Sequence, residues 1–220
     1  MPATILIVTD GFPPVYGGGS SSCARVTRIL SSLGYTCLVA VFPEGQQGAS
    51  GPEGPRVRET ATPWVKVFWH ASPSHWSDEV FGAWVSSSLA QIVSKHDVTA
   101  LQIFYVGRLT ISAVLTAKRH GIPCISSFRG SDIYRDPMAR SGLERVRCAA
   151  EYSDLLTTVN QESCDILKRL FPQASNKVIV IRNSISGCAH AFWNRHRHCA
   201  KAQITNGENT CLIGVIGATS

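Results

Sequence analysis

The sequence predicts an α/β domain built on a doubly wound, mostly parallel sheet, and three observations carry that prediction. Short apolar runs of strand length recur through residues 1–183. Segments with helical spacing of apolar positions separate them, and Gly, Pro and Asn gather at the junctions. With 220 residues, 44% of them hydrophobic and 16% charged, the chain has the apolar content for one full core of the ordinary globular kind.

The elements follow in order. Ile5 to Val8 is an unbroken apolar run ending at Thr9-Asp10-Gly11, as expected of a strand buried on both faces. Phe12 to Gly19 is a loop by its prolines and glycines. From Ser20 to Leu33, Cys23, Val26, Ile29, Leu30 and Leu33 fall at helical spacing, with Ser20 to Ser22 as N-caps and Gly34 as the stop. Tyr35 to Phe42 reads as the next strand, completing a βαβ unit. Gln46 to Thr62, rich in Gly, Pro and Glu, reads as an excursion without regular structure. Trp64 to Trp69, Val98 to Phe104, Cys124 to Phe128, Leu155 to Val159 and Val178 to Ile181 are further strands. Asp78 to Ser94, Leu109 to His120, Arg140 to Glu151 and Gln161 to Phe171 are the helices between them. The result is a sheet of about seven strands.

After Asn183 the alternation stops. Residues 184–209 are polar and rich in His and Arg, and read as a linker or crossover. Residues 210–220 contain a fresh apolar strand, Cys211 to Ile216, which reads as the start of a second domain that is cut short.

The N-terminus lacks the basic and apolar regions of a secretory signal, and no apolar run reaches the roughly 18 residues of a membrane span. A cytoplasmic location is expected. The eight cysteines are scattered, form no C-x-x-C pair, and read as small core residues in a reducing compartment. A net charge of +6 favours anionic partners. The basic residues are dispersed and no nucleic-acid motif is present, so nucleic acid is not an expected partner.

Ligands of open α/β sheets bind beyond the carboxyl ends of the strands, which directs attention to two loops. Gly17, Gly18 and Gly19 stand directly before a helix, where bare backbone N–H groups and the helix dipole suit a phosphate. A plain flexible turn would look the same, and the spacing is neither G-x-G-x-x-G nor a P-loop. Arg129, Gly130, Ser131 and Asp132 follow the strand Cys124 to Phe128. There a guanidinium suits phosphate and the two oxygen-bearing side chains suit sugar hydroxyls, while an Asx turn at a helix start remains the alternative. Cys188, His190, His196, His198 and Cys199 are zinc-ligand types crowded into twelve residues, but their spacing matches no established zinc pattern and no metal is expected. The tryptophans Trp64, Trp69, Trp76, Trp84 and Trp193 could stack on sugar rings, but core packing or a lipid-facing surface is the stronger reading for most of them.

Several segments, in order, resemble glycosyltransferase family 4. ILIVTDGFPPVYGGG with RILSSLGYTCLVAVF is similar to that family's opening strand, glycine loop, helix and second strand. GIPCISSFRGSD resembles a segment that usually ends in His-Gly-x-Asp, CAAEYSDLLTTVNQESCDIL its alanine-rich helix and following strand, and KVIVIRNSIS its closing strand with Pro-Asn-Gly. CLIGVIGATS resembles the first strand of the nucleotide-sugar-binding domain.

The resemblance implies a Rossmann-like N-terminal, acceptor-side domain of a GT-B fold, and transfer of a sugar from a nucleotide donor with retention and without a metal or other cofactor. Gly17, Gly18 and Gly19 would approach the donor phosphate; Arg129, Gly130, Ser131, Asp132 and Asn183 would line the cleft. Arg129 stands where His is usual, and Asn183-Ser184 where Asn-Gly is usual. The family's donor-binding basic pair and paired glutamates belong to a C-terminal domain, supplied in cis or in trans, so the chain alone is expected to be inactive and its catalytic residues are not assigned. The acceptor is a sugar, a lipid or another small molecule, and the basic charge allows peripheral contact with an anionic membrane. A non-catalytic binding or regulatory module, and half of a sugar-nucleotide epimerase, stay open as alternatives.

Overall fold

The computed structural model describes residues 2–15, 17–43, 56–62, 64–71 and 76–183. Eight strands form one sheet: β1 (Thr4–Thr9), β2 (Thr36–Val41), β3 (Arg56–Thr62), β4 (Val65–Ala71), β5 (Val98–Phe104), β6 (Cys124–Ser127), β7 (Leu155–Thr158) and β8 (Val178–Val180). Their order is β3-β4-β2-β1-β5-β6-β7-β8, parallel throughout except for β3. The helices are α1 (Gly18–Ser32), α2 (Asp78–Lys95), α3 (Thr110–His120), the short α4 (Ser131–Tyr134), α5 (Arg140–Tyr152) and α6 (Gln161–Leu170).

The pleat explains why the apolar runs are unbroken. Along β1, Leu6 and Val8 join a core with α2 and α3, while Ile7 joins a separate core with Cys23 and the apolar side of α1. Successive side chains point to opposite faces, so a central parallel strand covered on both sides needs apolar residues at every position. A third cluster gathers α5 and α6 against the β6–β8 end through Val146, Ala150, Leu156, Leu167 and Val178.

Local chemistry sets the helix ends. The Ser77 hydroxyl accepts from the Val80 N–H at 3.3 Å at the start of α2, with Asp78 and Glu79 in the first turn and Lys95 in the last. Asn160 accepts from the Ser163 N–H at 2.7 Å at the start of α6. α1 differs from the N-cap expected at Ser20 to Ser22: it begins at Gly18 with Gly17 as N-cap and no side-chain cap. Ser20 is already inside the first turn, and its hydroxyl donates back to the Val15 carbonyl at 2.6 Å.

The segment read as an excursion ends in a strand. β3 pairs antiparallel with β4 from Arg56↔Ala71 to Thr62↔Val65. Its sequence, RVRETAT, lacks an apolar run because an edge strand needs none, and Glu59, ion-paired with Lys66, puts charge along the edge. Residues 46–55 of the same segment lie outside the described residues.

Cys23, Cys37, Cys124 and Cys164 are buried, Cys148 is half-buried, and all five are free thiols. Trp64 packs beside Phe12 with Arg28 over its ring, Trp69 donates to the Thr60 hydroxyl, and Trp76 and Trp84 join an aromatic cluster with Phe42, His70 and Phe81. Core packing therefore accounts for these four. The described residues up to Arg182 belong to one unit. The linker, the last strand, Trp193 and the His/Cys cluster all lie outside the described residues.

Candidate active site

The sheet order reverses at β1. From β1 the chain winds outward through β2 to β4 and β3, then returns to the other side of β1 as β5. The crevice at the carboxyl ends of β1 and β5 is therefore the topological switch point, where ligands of open α/β sheets bind. A cavity of about 310 Å³ lies there, lined by Asp10 after β1, Phe42 after β2, Tyr105 and Gly107 after β5, and Arg108, Arg135, Asp136 and Arg145 from the adjoining segments. That volume is at the lower end for small-molecule sites, about 300–1,000 Å³.

Tyr105 sits at this edge with φ of 93°, a region that a bulky L-residue rarely occupies. Such a conformation costs about 1–3 kcal/mol and persists where neighbours over-determine it. Here its N–H donates to the Ser127 carbonyl at 3.1 Å, its hydroxyl is hydrogen-bonded to that of Ser131, and the next N–H, of Val106, donates to Asp132 at 3.2 Å. Burial, reinforced by Asp132 and Asp136, pushes the phenol above its ordinary value, so it stays protonated.

The turn after β6 is organised by one carboxylate. Asp132 has no solvent exposure; besides Val106 it accepts from the N–H groups of Arg129 at 2.8 and 3.0 Å and Gly130 at 2.7 Å. Burial pushes its carboxyl up, while the three amides act in the opposite direction. The Asx turn at a helix start is not what forms: Gly130 is the N-cap of α4 with no side-chain cap bond, and the Asp132 carboxylate reaches back to the amides of Arg129 and Gly130 rather than forward to the amide two residues on. Gly130, with φ of 149° and ψ of −96°, is the N-cap of α4 and takes a conformation open to glycine. Arg129 folds inward. Its guanidinium carbon lies 4.0 Å from the Phe104 ring centroid, a cation–π contact, and burial draws its pKa down against the influence of Cys23 and Asp132.

At the same edge, Gly17 has φ of 157° and Gly18 and Gly19 open α1 with no atom within 4 Å of where a Cβ would stand. All three are exposed, and the first turn carries no acidic residue. The first helical hydrogen bond runs from the Ser21 N–H to the Gly17 carbonyl at 3.0 Å, so the amides before it lie in the unpaired first turn of a helix. Gly11 ties this loop to the cavity: a Cβ on it would be 3.7 Å from that of Ser20 in α1, and Asp10 beside it lines the cavity.

The structure thus brings Gly17, Gly18, Gly19, Arg129, Gly130, Ser131 and Asp132 to one sheet edge. Asn183, exposed three residues beyond β8, is the last described residue. Sequence reasoning missed Asp10, Tyr105, Arg108 and Arg145. Asp10 and Tyr105 were available to it, since each directly follows a strand at the switch point. Arg145 lies inside α5 and carries no local signal. The described residues hold no group of three or more metal-ligating side chains and no helix long and apolar enough to cross a membrane.

A sheet of this order with its ligand edge at the β1/β5 crevice defines a Rossmann-like α/β domain of the GT-B type. The chain belongs to glycosyltransferase family 4, whose family profile matches residues 16–186. Among solved structures it is similar to the UDP-GlcNAc 2-epimerase of Neisseria meningitidis bound to UDP-GlcNAc, at TM-score 0.58 and 16% identity over 91% of this chain and 52% of that one. The Escherichia coli trehalose-6-phosphate protein bound with UDP-2-fluoro glucose gives 0.60 and 9% over 93% and 55%. Anabaena HepE in complex with UDP and glucose gives 0.53 and 15% over 91% and 51%. At these identities the likeness is one of fold, and the chain spans about half the length of each structure. No curated protein sequence matches significantly.

Proposed function

We propose that this chain is the acceptor-side part of a nucleotide-sugar-dependent glycosyltransferase that transfers with retention. The observation that carries the reading is the joining, through Asp10-Gly11, of an acid-free glycine-opened helix N-terminus to the switch-point cavity. The amides of Gly18 and Gly19, with the positive end of α1, receive the donor diphosphate, whose charge grows as the glycosidic bond breaks. The acceptor sits beside Tyr105, whose protonated hydroxyl orients an acceptor oxygen. Asp132 holds the β5 and β6 turns at the spacing this requires. The clamp on the leaving diphosphate comes from a nucleotide-sugar-binding domain, and the chain by itself turns over no donor.

NMR titration of the 220-residue chain with UDP and UDP-glucose tests the reading. Saturable shifts at the amides of Gly17, Gly18 and Gly19 are expected; shifts confined to other parts of the sheet edge, or none, would overturn it. Release of UDP by the chain alone would overturn its dependence on a second domain. One half of a sugar-nucleotide epimerase is the second reading, favoured by the fold shared with the Neisseria epimerase. An epimerase needs no second substrate, so a non-nucleotide sugar that saturates shifts at Tyr105 and Gly107 supports the transferase and its failure supports the epimerase.

A further inference from the structure

The switch-point cavity carries a charge pattern that the proposed function does not use. Three guanidinium groups line it, from Arg108, Arg135 and Arg145, and they are not equivalent. Arg108 is held by Asp78 at 2.8 Å and stacks 3.9 Å over the Phe81 ring. Arg135 faces Asp136 at 3.7 Å. Arg145 has no ion pair or hydrogen bond among the described residues; its neighbour Glu144 is taken up by Arg140 at 3.3 Å.

The position of Arg145 is built into the packing. Gly142, one turn earlier in α5, lies so close to the 3-10 turn Asp136–Met138 that a Cβ on it would come within 1.8 Å of the Asp136 carbonyl oxygen. Only a residue without a side chain lets α5 seat against the turn that carries Arg135 and Asp136. That contact brings the Arg145 guanidinium to the same cavity as Arg135. Arg108 and Arg145 also line a second, larger cavity of about 710 Å³ between α2, α3 and α5, so the two cations stand where both spaces meet.

We infer that the cavity receives an anionic acceptor, a small polyol or sugar bearing a phosphate monoester, with the phosphate on Arg145 supported by Arg108 and Arg135. This rests on the transferase reading of the site. A guanidinium presents paired N–H donors that match phosphate oxygens, and one with no protein partner in a recess gains most from an incoming anion. The carboxylates of Asp10 and Asp136 and the phenol of Tyr105 line the same cavity and suit hydroxyl groups, so the ligand joins an anion to an alcohol-rich body. The phosphate belongs either to a soluble sugar phosphate or to a lipid headgroup, and Arg145 reads the chemistry that they share.

The test uses the whole chain in two arms at constant ionic strength. In the first, inorganic phosphate and glucose 6-phosphate are titrated while NMR follows the Arg145 Nε–H and the Gly107 amide. In the second, co-sedimentation is measured with phosphatidylcholine vesicles with and without phosphatidic acid. Binding that falls at least tenfold in R145A, is partly kept in R145K, and is unchanged in R147A, an exposed arginine on the same helix that lines neither cavity, supports the proposal in whichever arm it occurs. The arm identifies the source. Equal binding by R145A, loss in R147A as large as in R145A, or no binding in either arm overturns it. Because these signals are at Arg145 and Gly107, they are read independently of the UDP response at Gly17 to Gly19, and one proposal fails without the other.

Discussion

Removing the Asp132 carboxylate is the sharpest test of how the ligand edge is built. In D132A three N–H groups lose their acceptor: Val106, which is fully buried, and Arg129 and Gly130, which are half-buried. A buried donor left without a partner costs about 1–3 kcal/mol, with the upper part of that range for Val106 and the lower for the two that water can reach. The sum is about 3–5 kcal/mol, a large share of the roughly 5–15 kcal/mol that holds a domain folded. D132N keeps one carbonyl oxygen and turns an NH₂ toward an N–H, so it costs about 2 kcal/mol. Urea unfolding followed by tryptophan fluorescence and circular dichroism measures both variants. A loss below about 1 kcal/mol in D132A would refute the bracing role, because it would mean that the three amides have other partners. Equal losses in the two variants would refute the assignment of that loss to the acceptor oxygens.

Three further predictions follow from burial and packing. His70 is 3% exposed, stacked 4.3 Å from Phe42, and among the described residues neither ring nitrogen has a partner; burial pulls it down to about 4 from 6.5. The unfolded chain therefore takes up the proton first as pH falls, so about 3 kcal/mol of stability present above the unfolded value is lost through this window. H70F removes that slope, and an unchanged slope in H70F contradicts the assignment. Burial raises the thiols of Cys23 and Cys124 to about 12 and those of Cys37 and Cys148 to about 11. Iodoacetamide at about pH 8 should leave all four unmodified in the folded protein and label them in urea; mass spectrometry that finds native labelling would show otherwise. G142A should destabilise by about 3 kcal/mol through overlap with the Asp136 carbonyl, read as a drop in the urea midpoint, and a neutral effect would mean that α5 sits farther from that turn.

The alternation of strand and helix was legible because buried parallel strands leave continuous apolar runs, as in Ile5 to Val8 and Val98 to Phe104. β3 escaped because an edge strand is stabilised by pairing rather than by burial, and RVRETAT carries no apolar run. The two loops of the ligand edge were visible as glycines placed before helices. Their internal roles were not: two of the amides that Asp132 accepts from, of Arg129 and Gly130, are its own neighbours upstream, but the third, of Val106, reaches it only because β5 and β6 lie side by side, which no local string encodes. Arg145 is the extreme case. It sits in an ordinary amphipathic helix, and only the tertiary contact at Gly142 brings it to the cavity.

The strained backbone at Tyr105 has one more consequence. Its ring and the amide that follows it are both held by the turn after β6, through Ser131 and Asp132. The residue that faces the cavity is thus aimed from a different strand, much as a lever is set by its fulcrum rather than by its tip. Changes in residues 129–132 will reach the cavity without touching whatever occupies it. On the proposed reading, acceptor preference would be retuned from behind the wall, and the residues that contact the ligand need not be the ones that change.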